Sequence, residues 1–296
     1  MRPVKIVAPF APGGTADMLG RIIAKELSDQ LKESFVVENR AGAGGVVGSE
    51  FVSKSPPDGY TLVISGIASH VLAPHLPGGT PYDPLKDFTH IALLGGPPAV
   101  FAVNPSLPAK TLKEFVALAK QEPGKLTYGS PGAGTQGQLV AELFKRLADI
   151  DVLHVPYKGA SAAVADLLGG QINAVSTTLS TAAGQIKGGR ARALALSSAQ
   201  RLPDYADIPT FAEQGYPDLV ATVWFSLSGP AGLPSEIVEK LNAEVRRALE
   251  LSEVRARLRH DGIVPNRLDA KEFTAFVADE LRRWGPIVRA SGAKKD

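Results

Sequence analysis

The sequence predicts an α/β protein of two lobes, each built on a mostly parallel sheet flanked by helices. Apolar runs of strand length alternate along the chain with segments of helical periodicity. Two glycine-rich turns, at 9–17 and 128–137, each lead from a predicted strand into a predicted helix. At 296 residues the chain is long enough for two lobes with separate cores, although one compact barrel also fits this length.

The first part of the chain shows a βαβαβ pattern. Val4–Ala8 is an apolar run of strand length, and apolar residues then recur every three or four positions from 19 to 31, which is typical of a helix. A short strand at 35–37, a helix at 46–53 and a strand at 61–65 follow. With right-handed crossovers this order gives a parallel sheet covered on both faces.

The middle of the chain predicts a second lobe. Apolar runs at 91–94 and 99–103 end at Asn104-Pro105, where we expect the chain to leave the first lobe. The capping box Thr111-Leu-Lys-Glu114 opens a helix to about residue 121. Beyond it, predicted strands alternate with predicted helices at 126–130, 135–147, 152–155, 161–168, 172–176, 181–187 and 191–196.

The C-terminal part predicts a return to the first lobe. A strand at 221–227 can carry the chain back, and the amphipathic helices after it need a sheet to cover. The expected first lobe is therefore 1–103 plus 222–296, and the second is 104–221. Two strands then connect the lobes as a hinge.

Composition and charge exclude several classes of function. The 32 basic and 30 acidic residues nearly cancel, and no long basic block occurs, so no nucleic-acid partner is expected. An effector-sensing regulator of the same architecture is disfavoured for that reason. The absence of cysteine excludes disulfides, thiol catalysis and cysteine-ligated metal, and the five histidines show no metal-ligand spacing, so no metal site is expected.

The sequence contains neither a membrane-spanning run nor a signal peptide. No stretch approaches the roughly 18 apolar residues of a transmembrane helix. Met1-Arg2-Pro3 passes directly into the first predicted strand. We therefore expect either a cytoplasmic protein or one whose leader has been removed.

A nucleotide-dependent enzyme is the alternative function. Gly132-Ala-Gly-Thr-Gln-Gly137 fits the G-x-G-x-x-G pattern of dinucleotide-binding turns, between a predicted strand and a predicted helix. However, the next strand ends in Val155-Pro156-Tyr157 and supplies no acidic residue for a ribose. No lysine follows Gly134, which argues against a P-loop, and no G-x-S-x-G elbow occurs.

Anion binding by main-chain amides explains both glycine-rich turns better. The first N–H groups of a helix have no partner within the helix, and they carry the positive end of its dipole. We expect Thr15 to cap the first helix and the two turns to hold a carboxylate from both lobes. A third glycine-rich turn, at 39–45, is interpreted as structural. Tyr157 and Lys158 are candidates for the rim of the cleft, although a lysine in such a position is more often simply solvated.

Several strings, in this order and spacing, resemble the solute receptors of tripartite tricarboxylate transporters, the Bug or TctC family. They are PFAPGGTADMLGRIIA, VVENRAGAGG, PDGYTL, LTYGSPGAGT, HVPYKG, VADLLGGQIN and DIPTFAEQGYP. The resemblance covers almost the whole chain. It implies a two-lobed, type II periplasmic-binding-protein fold of the Venus flytrap kind, a periplasmic location and no catalytic activity or cofactor. It also implies a monomer that passes organic carboxylates to membrane permease subunits.

The resemblance also implies a set of ligand-binding residues. On the first lobe they are Phe10, Ala11, Gly14, Thr15, Asp17, Ser65, Ser69 and His70, and on the second Ser130, Gly132, Ala133, Gly134, Thr135, Tyr157 and Thr177. Asp17 is also a candidate for stabilising the helix start, since a carboxylate repels a bound anion.

The sequence departs from the family pattern at two places. Many members have histidine where this chain has Gln138, and an Asp-Asn pair where it has Thr177-Thr178. Without that acidic group an amine lacks a partner, so a plain or hydroxylated carboxylic acid is favoured over an amino acid. Dicarboxylic, tricarboxylic and aromatic acids all remain open.

Overall fold

The computed structural model describes residues 2–291 and contains two five-stranded sheets, each flanked by helices. The strands are β1 (Val4–Ala8), β2 (Phe35–Asn39), β3 (Thr61–Gly66), β4 (Phe88–Gly95), β5 (Ala99–Val103), β6 (Thr127–Ser130), β7 (Leu153–Pro156), β8 (Ala174–Thr178), β9 (Arg192–Leu196) and β10 (Phe225–Pro230). The helices are α1 (Thr15–Leu31), α2 (Val46–Ser53), α3 (Leu112–Gln121), α4 (Gln136–Ala148), α5 (Ala160–Leu168), α6 (Leu179–Lys187), α7 (Ser235–Glu250), α8 (Ser252–His260) and α9 (Ala270–Ser291). The predicted two-lobed α/β class is confirmed.

Each sheet contains one strand that runs against its neighbours. The first sheet has the order β2-β1-β3-β10-β4, with β1 parallel to β2 and β3, and β10 antiparallel to β3 and β4. The second has the order β7-β6-β8-β5-β9, with β5 antiparallel to β8 and β9. The two antiparallel strands β5 and β10 are those that follow a passage between the lobes.

The passage out of the first lobe lies earlier than the sequence predicts. The strand 99–103, expected in the first lobe, is β5 and pairs with β8 and β9 of the second sheet. The chain crosses just before it, where Pro98 bridges to Thr222 and the amide of Val223 donates to the carbonyl of Pro97. We therefore propose that the two hinge segments are 96–98 and 222–224.

Glycine at position 96 permits this close crossing. A Cβ on Gly96 would collide with the carbonyl of Val223 on the other segment. The run Gly95-Gly-Pro-Pro98 separates two apolar strands, and it marks the crossing better than Asn104-Pro105, which comes after β5 has already paired.

The two sheets are buried by helices as the apolar patterns predict. In the second lobe, Phe101 of β5 packs edge-on against Phe115 of α3 and Phe144 of α4, with ring centroids 5.0 and 5.3 Å apart. In the first lobe, Val245 of α7 and Phe273 of α9 are fully buried over the sheet. The C-terminal helices therefore cover the first sheet, as expected. Among residues 2–291, no helix is both long and apolar enough to cross a bilayer.

Candidate ligand-binding site between the lobes

A small cavity of about 50 Å³ lies between the two lobes. On the first lobe, the loop after β1, the start of α1 and the segments around the ends of β3 and the hinge line this cavity. On the second lobe, the loop after β6 and the starts of α4, α5 and α6 line it. Its lining consists of Phe10, Gly14, Thr15, Ala16, Gly66, Ile67, Ala68, Ser69, Val223, Trp224 and Phe225 from the first lobe and hinge, and of Pro131, Thr135, Gln136, Gly137, Ala160 and Thr178 from the second. None of these lining residues carries a formal charge.

Helices from both lobes begin at this cavity. Thr15 and Ala16 open α1, while Gln136 and Gly137 open α4. Within residues 2–291, the amides of these four residues donate to no protein acceptor. Two opposed helix N-termini therefore direct free N–H groups and positive partial charge toward one volume, which favours an anion there.

The amides of the glycine turns themselves are largely occupied, contrary to expectation. The amide of Gly13 donates to Asp17 Oδ2 at 3.0 Å. In the second turn, the amide of Gly132 donates to Ser130 Oγ at 3.2 Å and that of Gly134 to Gln138 Oε1 at 2.7 Å. These hydrogen bonds hold each turn together, and the available donors belong to the first helical turn that follows it.

Asp17 stabilises the start of α1 and does not line the cavity. The helix is capped by Gly14 rather than by the predicted Thr15, and the Asp17 carboxylate accepts from Gly13, Arg21 and Asn39. Burial acts to raise the pKa of Asp17, but the hydrogen bonds from Arg21, Gly13 and Asn39 outweigh it and lower the pKa. An ionised Asp17 therefore holds the turn.

A histidine that the sequence did not single out supports the second turn. His154 on β7 lies with Nε2 2.7 Å from Ser130 Oγ and with Nδ1 3.3 Å from Gln138 Nε2. Its ring stacks on Tyr128, with centroids 4.8 Å apart. The imidazole of His154 on β7 thus reaches the side chain of Gln138 on α4. The string HVPYKG contained this residue, but sequence spacing gave no reason to place it beside Gln138.

The structure brings only part of the predicted residue set to the cavity. The residues that line it are Phe10, Gly14, Thr15, Ser69 and Thr135. The residues that lie outside its lining are Ala11, Asp17, Ser65, His70, Ser130, Gly132, Ala133, Gly134, Tyr157 and Thr177.

Hydrogen bonds within each lobe explain why several of these predicted residues do not line the cavity. Ser65 Oγ lies 2.6 Å from Ser226 Oγ on the neighbouring strand. The Tyr157 hydroxyl donates to Asp166 Oδ2 at 2.7 Å. Thr177 is fully buried, and Thr178, on the opposite face of β8, lines the cavity in its place.

His70 belongs to an aromatic cluster beneath the cavity. Its ring lies 4.4 Å from Phe88 and 6.0 Å from His90, and Nδ1 is 2.9 Å from Ser69 Oγ. Burial, with a smaller contribution from His90, lowers the pKa of His70 well below its ordinary value. A neutral imidazole in this position orients Ser69 and supplies no positive charge to the cavity.

The two lobes are in direct contact on both sides of the cavity. Thr15 Oγ1 lies 2.7 Å from Thr178 Oγ1, and Ser161 Oγ donates to the carbonyl of Pro12 at 2.8 Å. Elsewhere, a Cβ on Gly44 would lie 2.8 Å from the carbonyl oxygen of Ala133. The lobes are therefore in contact around the cavity, which corresponds to a closed arrangement.

Gln136 is the most informative residue that the sequence reasoning missed. It is the first residue of α4, lines the cavity and is 2% exposed. Neither Oε1 nor Nε2 has a hydrogen-bond partner within the described structure. Its place inside GAGTQG, directly after the cap Thr135, was the available signal, but the pattern drew attention to the glycines.

The geometry does not favour the nucleotide-enzyme alternative. A Cβ on Gly134 would collide with Leu76 of the opposite lobe, and one on Gly137 with the carbonyl of Ser176. The glycines thus permit close packing between lobes and between helix and strand, and they leave no open mouth for a dinucleotide. Among residues 2–291, no three His, Asp or Glu side chains are grouped as metal ligands.

Comparison with known proteins places the chain in a family. The profile of the tripartite tricarboxylate transporter family receptors, TctC, matches residues 19–293. The chain belongs to this receptor family. Among relatives of this TctC receptor, BugT of Bordetella pertussis is 36% identical over 294 residues, covering 99% of this chain and 90% of BugT. A protein from the tcbD-tcbE intergenic region of Pseudomonas sp. strain P51 is 33% identical over 97% of this chain and 85% of its own length.

Solved structures of similar sequence share the whole fold of this receptor. Rpa4515 of R. palustris, solved with adipate, superposes with a TM-score of 0.95 at 34% identity and covers 99% of this chain and 98% of that one. MatC of Rhodopseudomonas palustris, with bound malate, gives a TM-score of 0.92 at 33% identity, with 97% and 99% covered. A structure described as a periplasmic transporter gives 0.95 at 36% identity, with 99% and 98% covered.

Proposed function

We propose that this TctC receptor captures a small organic carboxylate between its lobes and delivers it to a tripartite membrane transporter. The observation that carries the proposal is the pair of opposed helix starts: the free amides of Thr15 and Ala16 face the same cavity as those of Gln136 and Gly137. A carboxylate bridging them gains charge-assisted hydrogen bonds from both lobes, each worth roughly 1.5–3 kcal/mol.

Binding and lobe closure are coupled in this proposal. A ligand shifts an equilibrium only through its differential affinity for the two states. An anion held by α1 alone touches one lobe, whereas in the closed state it also meets α4. Closure around the ligand is the hinge motion of two-lobed receptors, with segments 96–98 and 222–224 as the hinge.

The family supports a proposal about location and partners. The matched family consists of receptors for tripartite transporters, and a neighbour at 36% identity is described as a periplasmic transporter. We propose that the protein works in the periplasm as a monomer, has no catalytic activity and contacts permease subunits. Relatives solved with adipate and malate support a dicarboxylic ligand. Tricarboxylic and aromatic acids are the other classes to be compared in a binding screen.

A thermal-shift screen tests the proposal. Protein unfolded and refolded to remove copurified solute is mixed with adipate, malate, citrate and benzoate, each at one fixed pH, with NAD as a comparison. We expect at least one carboxylate to raise the melting temperature with a saturating concentration dependence, and NAD to leave it unchanged. A shift with NAD and none with any acid would favour the nucleotide alternative.

A further inference from the structure

The side-chain amide of Gln136 is buried and has no hydrogen-bond partner among residues 2–291. This applies to both Oε1 and Nε2, in a residue that is 2% exposed and lines the cavity between the lobes. Leaving a buried polar group unpaired is costly, so buried side-chain amides nearly always find partners. Because both ends lack a partner, this conclusion does not depend on which way the amide is oriented.

We propose that Gln136 recognises a hydroxyl group on the ligand, and that the ligand class is therefore the hydroxycarboxylic acids. The inference rests on the proposed carboxylate-binding function. An ionised carboxylate only accepts hydrogen bonds, so it can pair with Nε2 and leaves Oε1 unpaired. A hydroxyl group donates and accepts, so it satisfies the acceptor end of the amide as well.

The rest of the cavity lining indicates which kind of ligand group donates a hydrogen bond to Gln136 Oε1. An ammonium group would also donate to Oε1, but none of the lining residues is an aspartate or glutamate that could balance its charge. Phe10, Pro131 and Trp224 add apolar walls. A neutral hydroxyl close to the carboxylate is the donor that this environment accepts at the lowest desolvation cost.

The position of Gln136 sets how close the two groups lie. Its backbone amide is one of the free donors at the start of α4, and its side chain is buried at the same cavity. One residue thus offers a main-chain donor to the carboxylate and a side-chain amide to a neighbouring group. This spacing suits an acid whose hydroxyl is on the carbon next to the carboxylate or on the one after it.

Matched pairs of acids test the inference by calorimetry. The pairs differ by one hydroxyl: malate and succinate, lactate and propionate, 3-hydroxybutyrate and butyrate, mandelate and phenylacetate. We expect the wild-type protein to bind the hydroxylated member of its preferred pair about tenfold more tightly. Gln136→Met keeps the length of the side chain and removes both polar atoms. The variant should therefore bind the two members of the pair with about equal affinity.

Two further variants control for folding and charge. Gln136→Glu has nearly the same shape but places a negative charge beside the anion, and it should abolish binding of both members of a pair. Gln121→Leu removes an exposed amide at the end of α3 and should leave every affinity unchanged. Melting temperatures of all three variants, measured without ligand, establish that they are folded.

The possible outcomes separate this inference from the function on which it rests. If the tightest acid in the panel has no hydroxyl, or if Gln136→Met weakens both members of a pair equally, the inference is wrong while carboxylate capture stands. If the wild-type protein binds no acid of the panel, the proposed function fails and this inference fails with it.

Discussion

The hydroxyl oxygens of Thr15 and Thr178 lie 2.7 Å apart, although the two residues belong to different lobes. Thr15 is the first residue of α1, and Thr178 is the residue just before α6. Thr15 Oγ1 also lies 2.6 Å from Ser180 Oγ. Hydroxyls thus join two helix starts beside the cavity, and each such bond is weak enough to break on opening.

Thr15→Val should shift the protein toward its open state. Valine has the shape of threonine but cannot bond to Thr178 or Ser180. Losing two neutral hydrogen bonds of about 0.5–1.5 kcal/mol each should weaken carboxylate affinity by roughly five- to 150-fold. Calorimetry measures the affinity, and small-angle scattering should show a larger radius of gyration for the variant without ligand.

A distant threonine provides the control for that experiment. Thr274 of α9 is exposed and donates only to the carbonyl of Ala270 within its own helix. Thr274→Val should leave both affinity and radius of gyration unchanged. Equal effects from the two variants would show that the hydroxyl of Thr15 has no part in closure.

Gly44→Ala should block closure by steric conflict. The added Cβ would lie 2.8 Å from the carbonyl of Ala133 in the opposite lobe, closer than real contacts allow. Because a backbone carbonyl cannot swing aside, the lobes must separate, and the apparent affinity falls with the fraction of closed protein. We expect a loss of more than tenfold in affinity, measured by calorimetry.

Gly78→Ala separates this conflict from backbone strain. Gly44 and Gly78 both have positive φ, of +62° and +85°, but a Cβ on Gly78 meets nothing within 4 Å. Both variants should lose about 1 kcal/mol of stability from the left-handed backbone. Only Gly44→Ala should lose affinity, and a comparable loss in Gly78→Ala would contradict the steric explanation.

The sequence predicted the fold well because apolar periodicity and turn chemistry are local. The capping box is an example: Glu114 N donates to Thr111 Oγ1 at 3.1 Å, as the four-residue pattern predicted. The crossing between lobes was predicted too late, because strand β5 has the same apolar pattern in either sheet. Only pairing across the sheet decides its lobe, and pairing is not a local property.

The candidate site was harder to predict than the fold because it depends on side-chain direction and on contacts between lobes. Thr177 and Thr178 are neighbours of one type, yet only Thr178 lines the cavity. Ser65 lies near the end of β3, but Ser226 of β10, from a distant part of the chain, is hydrogen-bonded to it. No spacing in the sequence reports either fact.

Ser130→Ala should weaken ligand binding, although Ser130 does not line the cavity. Ser130 Oγ donates to the carbonyl of Gly132, accepts from the amide of the same residue and lies 2.7 Å from His154 Nε2. Removing it leaves buried groups unpaired, which costs about 1–3 kcal/mol of stability and loosens the turn before α4. Calorimetry should show a lower carboxylate affinity while circular dichroism shows a folded protein.

Thr135→Val is the companion variant at the same turn. Thr135 Oγ1 donates to the carbonyl of Gly132 at 2.7 Å and caps α4. We expect a loss of about 1 kcal/mol of stability, typical of a lost cap, together with weaker binding. Unchanged affinity in both variants would contradict a role for the second turn in holding the ligand.

His90 should make the fold sensitive to mild acid. Burial lowers the pKa of His90 to about 4, although its hydrogen bond to the carbonyl of Pro84 acts to raise it. The unfolded protein takes up the proton near the ordinary value of 6.5. Stability is therefore fully present above pH 6.5 and is lost as the pH falls toward 4, by on the order of 3 kcal/mol from His90.

Denaturant titrations between pH 8 and pH 4 measure this loss. His90→Gln retains an amide that can reach Pro84 but does not titrate, so its unfolding free energy should fall less steeply over this range. The lowered pKa of His70 also reduces stability as the pH falls. The unfolding free energy of His90→Gln should therefore still decrease with falling pH, but less steeply than that of the wild-type protein. Parallel pH profiles for the variant and the wild-type protein would contradict the assignment to His90.

Intrinsic fluorescence should report ligand binding through one of the two tryptophans in the chain. Trp224 lines the cavity beside the hinge, whereas Trp284 of α9 does not line it. Both indoles donate to Glu280 Oε2, at 3.0 and 3.1 Å, so each is held in a defined environment. Addition of the tightest acid from the thermal-shift screen should change the emission of Trp224 with a saturating dependence. Trp284→Phe should retain this change and Trp224→Phe should lose it; the reverse pattern would place the ligand away from the cavity between the lobes.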